Sequence, residues 1–301
     1  MVSGSSRISA AIPQWYIKMP LMPRGTLFVV ATPIGHLEDI TLRALKVLKS
    51  VSLVAAEDTR RTGNLLRHFD IQTPILSVHE HNERARAPKV LARLEAGESV
   101  ALVTDAGTPG ISDPGAALVA AVRAAGFRVE PIPGASAVVA AFSASGISSE
   151  GFAFVGFAPI KSKDRKTWFQ ALVETANQRA VVFFEAPHRL RVTLEQLSLL
   201  VTRPIFVARE LTKVFEELRF GTPAELLEAF PTPQGEFTLI VPPLDKAGGP
   251  APEVSDDQIV LEFGEMTNKR EFDSKREVAR AVAERLGLST KQVYAALERS
   301  K

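Results

Sequence analysis

The sequence contains no cysteine. That excludes disulfides, iron–sulfur clusters and cysteine-bound zinc, and it fits a reducing compartment, so a cytoplasmic location is expected. It has no run of about 18 consecutive apolar residues that would read as a membrane span. Residues 1–24 lack the unbroken apolar core of a secretory signal. An excess of one charge is also missing: the formal net charge is +2, so any nucleic-acid surface must be a local patch. No glycine-rich turn matches GxGxxG after the first strand with an acidic residue about twenty positions on, and none carries the Walker lysine, which argues against the usual dinucleotide and nucleoside-triphosphate loops.

What the chain does have is alternation. From Leu27, short Val/Leu/Ala runs (LFVVAT, VSLVAAED, ILSV, VALVTDA, RVEPIP) alternate with helix-like stretches: TLRALKVLKS, TGNLLRHF, Ala87–Glu95 and Ala116–Ala125. The expectation is an α/β domain over 25–144, with a mostly parallel sheet and helices on its faces. A Ser/Gly-rich link, SASGISSEG, marks a boundary. Beyond it, the strands FAFVGF, AVVFFEA, PIFVARE and EFTLIVP, with helices at Lys163–Thr175, Leu190–Leu199 and Pro223–Ala229, read as a second α/β domain over 151–243. A Pro/Gly linker (244–254) leads to a helix–turn–helix domain (255–301), broken at Gly287 with Ser289 placed to cap its second helix. Its basic and acidic residues balance, leaving open whether it contacts RNA or only packs. Residues 1–24, with Trp15 and Tyr16, read as a flexible extension; a misplaced start codon or a functional arm would each produce it.

The most informative run is VALVTDAGTPGISDPG, Val100–Gly115, where a buried strand opens into a loop of Gly, Pro, Thr and Asp. Parallel α/β sheets place ligands at such strand ends. Two further small-residue turns, ATPIGHLEDIT and PIPGASAVVAA, follow other strands. Three such loops converging on one cleft would suit an adenosine and an amino-acid tail, because loop amides and carbonyls can bond both.

In order along the chain, VATPIGHLEDITLRA, AEDTRRTGNLL, SVHEHNE, VTDAGTPGISDPG, PIPGASA, FVGFAP, FFEAPHRL, ARELTK and GEFTLIV resemble the ribosomal RNA small subunit methyltransferase I family, a branch of the tetrapyrrole methylase superfamily. The resemblance covers roughly Gly25 to Val241 and extends to the C-terminal helices. It implies two α/β domains with S-adenosylmethionine in the cleft between them. The implied reaction is 2′-O-methylation of a cytidine ribose in the decoding region of 16S rRNA, within the small ribosomal subunit, by a homodimer. Carried over residue by residue, the cofactor contacts fall on Pro33, Ala106, Gly107, Ile111, Ser136, Ala137 and Glu185. One difference stands out: the superfamily's usual Gly-Asp-Pro is DAGTP here, with Thr108 in place of the acidic residue.

Methyl transfer to a ribose hydroxyl asks for in-line alignment and for loss of the hydroxyl proton. Candidates at the strand ends are Glu57 and Asp58 with Arg60 and Arg61, then His79, Glu80, His81 and Asn82, then Glu185 with His188 and Arg189. Arginines suit phosphate contacts, and a carboxylate or histidine suits a base. Asp58, Arg60, His79 and Asn82 are the expected RNA-facing set. Each has a plainer reading: Asp58 could cap the following helix, Arg60 and Arg61 could be solvated, and His188 and Arg189 could simply open a helix. No metal is expected, since no third ligand beside His79 and His81 is spaced for zinc. Two rival functions remain: a corrinoid-precursor C-methyltransferase, against which EDTRR and HEHNE argue, and a non-catalytic RNA-binding assembly factor, which would not need all three glycine loops.

Overall fold

The expected apolar runs pair into a wholly parallel sheet in the first of two compact units, which divide after Ala137. The computed structural model describes residues 25–244, 255–268, 274–286, 288 and 290–300. The expected extension at 1–24, nearly all of the linker at 244–254, and the break at Gly287 with its Ser289 cap lie outside them. The strands are β1 (Thr26–Val30), β2 (Leu53–Ala56), β3 (Ile75–Ser77), β4 (Val100–Val103) and β5 (Arg128–Ile132), in spatial order β3-β2-β4-β1-β5.

Alternate residues on these strands serve opposite faces. Helices α1 (Leu42–Ser50) and α2 (Thr59–His68) cover one side, where Leu48 and Leu66 pack on Val30, Val54 and Ala101. On the other side lie α3 (Glu83–Glu95) and α4 (Ala116–Ala124), whose Val90, Leu94 and Leu118 pack on Leu27, Ala55 and Leu102. Residues β2 and β4 are buried throughout, as their unbroken apolar composition requires of strands covered on both faces. Thr41 caps α1, its side chain accepting from the Ala44 N–H at 3.1 Å.

The helix α3 begins at Glu83, four residues before the expected start at Ala87. Pro88 lies in the second turn of the helix, where proline is less at home than in a first turn. The helix still runs through it, because Asn82 and Glu83 both donate backbone N–H groups to the His79 carbonyl and wind the polar ERAR stretch into helix.

The second unit carries α5 (Ala137–Ser145), β6 (Phe152–Phe157), α6 (Ser162–Ala176), β7 (Ala180–Glu185), α7 (Pro187–Ser198), β8 (Ile205–Arg209), β9 (Glu217–Gly221), α8 (Pro223–Ala229) and β10 (Phe237–Val241). Its sheet runs β6-β7-β10-β8-β9 and is mixed, with β6 and β7 parallel and the remaining pairs antiparallel. Phe183, Leu190, Leu194 and Leu239 build the core on one face, and Val138, Val182, Phe206 and Ile240 build the other.

Two elements here were not expected, and a third starts earlier than expected. β9 is a half-exposed edge strand whose ELRFG sequence lacks the apolar run of an interior strand. α5 takes up the first part of the SASGISSEG link, and α7 begins at Pro187 rather than Leu190 because proline suits a first helical position.

Among the described residues the C-terminal region holds three helices, α9 (Asp256–Asn268), α10 (Lys275–Leu286) and α11 (Thr290–Arg299), rather than two. They share a small core of Ile259, Val278, Val282, Val293 and Ala296. α9 also gains an ion pair, Asp256 to Arg299 at 2.7 Å.

Leu102, 1% exposed, packs among Leu27, Val90 and Leu118. Leu102→Ala is expected to cost about 2–5 kcal/mol through lost burial and a residual cavity, read as a lowered melting temperature with secondary structure retained below it.

Candidate functional site

Because every strand of the first sheet points the same way, the loops that follow them share one edge. The loop after β1 leaves towards α1 on one face, and the loop after the neighbouring β4 leaves towards α4 on the other. Such a divergence opens a crevice at the strand ends, the usual ligand position in open α/β sheets.

Three small-residue loops meet there. Thr32 donates its N–H to the Gly107 carbonyl at 2.9 Å, and Gly107 donates back to Thr32 at 3.1 Å. The Thr32 hydroxyl donates to the Thr104 carbonyl at 3.1 Å. Thr108 donates its hydroxyl to the Ala135 carbonyl at 3.4 Å, a tie between the second and third loops. Gly107 has φ +82°, and a Cβ there would lie 3.5 Å from Ile34 Cγ2. A Cβ on Gly134 would come within 2.9 Å of Ala31 Cβ, so only glycine lets the third loop approach the first this closely.

Within this cluster Pro33 and Gly107 are buried, Ala106, Ser136 and Ala137 half-buried, and Ile111 exposed. The Thr104 hydroxyl is buried without a hydrogen-bond partner at the end of β4. Loop amides and carbonyls, small side chains and an unused buried hydroxyl are the donor set that a nucleoside with a polar tail needs.

Glu185 belongs to the second unit. Its side chain is 1% exposed and pairs with Arg189 at 2.6 Å. Its other oxygen accepts from the Thr193 hydroxyl at 2.6 Å, and the Ala186 N–H donates at 2.8 Å to the oxygen that pairs with Arg189. Arg189 also donates to the Ala158 carbonyl at 2.9 Å. The carboxylate thus anchors the start of α7.

Asp58 and Arg60 are brought together, their side chains 3.0 Å apart. Asp58 is the N-cap of α2, accepting from the Arg60 N–H at 2.8 Å and the Arg61 N–H at 3.4 Å. Hydrogen bonds from the Arg60 guanidinium and then from its backbone hold the Asp58 carboxyl at about 2, well below the usual range. The plainer capping role is therefore real, and a carboxylate so acidic is a weak base. Arg60 itself is 88% exposed.

Glu57 and Asp105 form a reciprocal pair across β2 and β4. Glu57 accepts from the Asp105 N–H at 3.3 Å, Asp105 accepts from the Asp58 N–H at 3.1 Å, and Arg61 reaches Asp105 at 3.5 Å. Burial, the largest influence, pushes the Glu57 carboxyl up, against the Asp105 N–H bond and with the Asp105 charge. Asp105 was missed in the sequence, although it follows β4 level with Asp58 after β2, since Ala56 pairs with Val103.

His79 and Asn82 are also joined. The His79 N–H donates to Asn82 Oδ1 at 2.9 Å, and Asn82 Nδ2 lies 2.8 Å from His79 Nε2. Since the amide nitrogen only donates, Nε2 accepts and the ring proton sits on Nδ1. Among the described residues, no group of three His, Asp or Glu side chains could hold a metal ion. His188 is exposed on the first turn of α7.

The profile of the Tetrapyrrole (Corrin/Porphyrin) Methylases matches residues 26–227. The chain is 43% identical over 277 residues to ribosomal RNA small subunit methyltransferase I of Synechocystis sp., covering 90% of this chain and 96% of that one. To the proteins of the same name from Pseudomonas aeruginosa and Escherichia coli O157:H7 it is 48% and 46% identical, covering 77% and 72% of this chain and 82% and 78% of theirs. In fold it is similar to uroporphyrin-III C-methyltransferase of Thermus thermophilus, at TM-score 0.53 and 22% identity over 73% of this chain and 94% of that one. A structure of the Thermus thermophilus enzyme complexed with S-adenosylhomocysteine matches at TM-score 0.52 and 19% identity, over 72% and 97%.

Two outcomes follow from the geometry. Glu185→Ala leaves the Arg189 charge without its buried partner and is expected to cost about 3–5 kcal/mol, read as a fall in melting temperature larger than that of Arg60→Ala. For Glu57, a raised folded-state carboxyl means that the native protein binds more protons than the unfolded chain between the ordinary 4.5 and the higher folded value. Wild-type stability therefore falls as pH rises through that window. The melting temperature of Glu57→Gln relative to wild type should rise with pH there; a flat difference would show that the carboxyl is unshifted.

Proposed function

The chain belongs to the tetrapyrrole (corrin/porphyrin) methylase family and, within it, groups with ribosomal RNA small subunit methyltransferase I, and from that premise we propose that it methylates small subunit ribosomal RNA with S-adenosylmethionine. The observation that carries the proposal is the convergence of three glycine-rich loops at the strand ends of a methylase fold, in a chain aligned with nearly the full length of its Synechocystis relative. Sequence identity of 43–48% to RNA methyltransferases, against 22% and 19% to uroporphyrin C-methyltransferases, favours RNA over a tetrapyrrole acceptor.

The finer reading is 2′-O-methylation of a cytidine ribose in the decoding region of 16S rRNA, in the assembled small subunit, by a cytoplasmic homodimer. In it Pro33, Ala106, Gly107, Ile111, Ser136 and Ala137 hold the cofactor, while the Glu185 carboxylate is taken up by Arg189, Thr193 and the Ala186 N–H at the start of α7. S-adenosylmethionine supplies an electrophilic methyl group on a sulfonium. The buried Thr104 hydroxyl and the paired loop backbones provide polar contacts without bulk at the strand ends.

Asp58, Arg60, His79 and Asn82 follow the ends of adjacent parallel strands, and we assign them to the RNA-facing side. Arg60, open to solvent, suits a phosphate. Asn82 orients His79, whose Nδ1–H is left to donate. Asp58 sets the first turn of α2 and so aims Arg60. Neighbouring Glu57, with its raised proton affinity, is better suited than Asp58 to receive the ribose hydroxyl proton.

Purified protein incubated with labelled S-adenosylmethionine and unmodified small subunits is expected to label one cytidine in a form that resists alkaline cleavage, because the methyl removes the hydroxyl that alkali needs. Alanine at Arg60, His79 and Asn82 should lower methylation by about 10-fold or more each, with cofactor binding retained. Label on no RNA overturns the acceptor, and normal methylation by all of these and by Asp58→Ala overturns the RNA-facing assignment.

A further inference from the structure

The α4 helix opens at Gly115, and that position has no means of capping itself. Gly115 has φ +126°, a conformation that side-chain-bearing residues rarely adopt, and a Cβ there would sit 2.9 Å from Leu102 Cδ2. A Ser, Asp or Asn cap is therefore shut out, and the helix has no side-chain cap of its own. Of the open N–H groups at its start, those of Gly115 and Leu118 are on buried residues, where leaving them unpaired is costly.

Glu83 satisfies them from another element. Its side chain, on a residue only 6% exposed, accepts from the Gly115 N–H at 2.6 Å through Oε1 and from the Ala117 and Leu118 N–H groups at 2.9 and 3.1 Å through Oε2. These are the N-cap, second and third positions of α4, and a carboxylate also complements the positive end of the helix. The bonds span 32 to 35 residues and tie the first residue of α3, immediately after HEHN, to the end of the DAGTPGISDPG loop. That loop is closed on itself by the Gly110 N–H donating to Pro114 at 3.1 Å, and at its other end it is paired to Thr32 through Gly107.

We infer that Glu83 is a positioning residue for the cofactor loop: it fixes Ala106–Ile111 by clamping the far end of that loop to the segment bearing His79 and Asn82. The inference rests on the reading of Ala106, Gly107 and Ile111 as cofactor contacts. Glu83 touches neither reactant and acts only through the backbone of 115–118.

Glu83→Gln keeps the shape but loses the charge, and it turns an amide NH2 towards one of the N–H groups. Calorimetric binding of S-adenosylmethionine to the full chain reads the proposal without any acceptor: the dissociation constant should rise about tenfold or more, the equivalent of one charge-assisted hydrogen bond. In the methylation assay the KM for S-adenosylmethionine should rise in step. KM for the small subunit should stay within about twofold, because the turn at His79 is held by backbone bonds and Asn82. Glu83→Asp, too short to reach all three groups, should behave in the same way, and it serves if the glutamine variant fails to fold.

Unchanged cofactor affinity in a folded variant, with only a lower melting temperature, would overturn the inference and leave Glu83 a structural cap. A wild-type protein that binds S-adenosylmethionine yet labels no RNA would instead overturn the proposed acceptor while the binding comparison still stands.

Discussion

Parallel pairing is the constraint on which the first unit depends. With β1 to β5 all running one way, each strand's C-terminal end lies on the same edge, and residues far apart in sequence are delivered there together. Thr32, Glu57, His79, Asp105 and Ala135 each lie within a few residues of such a strand end. The crossing of connections to opposite faces between β1 and β4 then determines where along that edge a crevice opens. Buried Val, Leu and Ala on both faces make the pairing stable, so the position of the loops is inherited from the core.

Loops so placed still have to be held, and backbone approach is too close at several points to allow side chains. The glycines that permit this remove the local means of capping and pairing, and carboxylates on neighbouring elements supply what is missing. Glu83 closes the start of α4, Glu57 and Asp105 bond each other's neighbouring backbone across β2 and β4, and in the second unit Glu185 fixes the start of α7. Glu83 does so by bonding the backbone of another helix, and Glu185 by bonding the Ala186 N–H and the Arg189 and Thr193 side chains, both from the interior. Charge-assisted bonds to N–H groups are among the few interactions strong enough to offset burying a carboxylate.

How much of this was legible in the sequence depended on periodicity. The strands of the first unit announced themselves as unbroken apolar runs, and α1, α2 and α4 as amphipathic stretches with caps such as Thr41 and Asp58. β9 escaped because an edge strand needs no apolar run, and α9 because DDQIVLEFGEMTN carries too weak an apolar stripe to stand out beside α10 and α11. The loop convergence was readable from the three small-residue turns. Glu83 was not, because its partners lie more than thirty residues away and nothing local marks a glutamate beside HEHN as a cap for another helix. The signal available was negative: Gly115 stands at a helix start with no capping side chain, so a remote one was required.

The neighbouring carboxylates Glu57 and Asp58 show how environment separates two groups that sequence treats alike. Asp58 faces the Arg60 guanidinium and the opening N–H groups of α2, all of which favour its charged form. Glu57 points back towards the ends of β2 and β4, where burial and the Asp105 charge oppose ionisation more strongly than one backbone bond and Arg61 favour it. Proton affinities pushed apart in this way divide labour between adjacent acids. One remains charged and fixes the helix and its arginine, and the other can exchange a proton. The capping role of Asp58 thus sets it apart from Glu57: under the proposed function it takes Asp58 out of proton transfer, and Glu57, one position earlier, is the proposed proton acceptor.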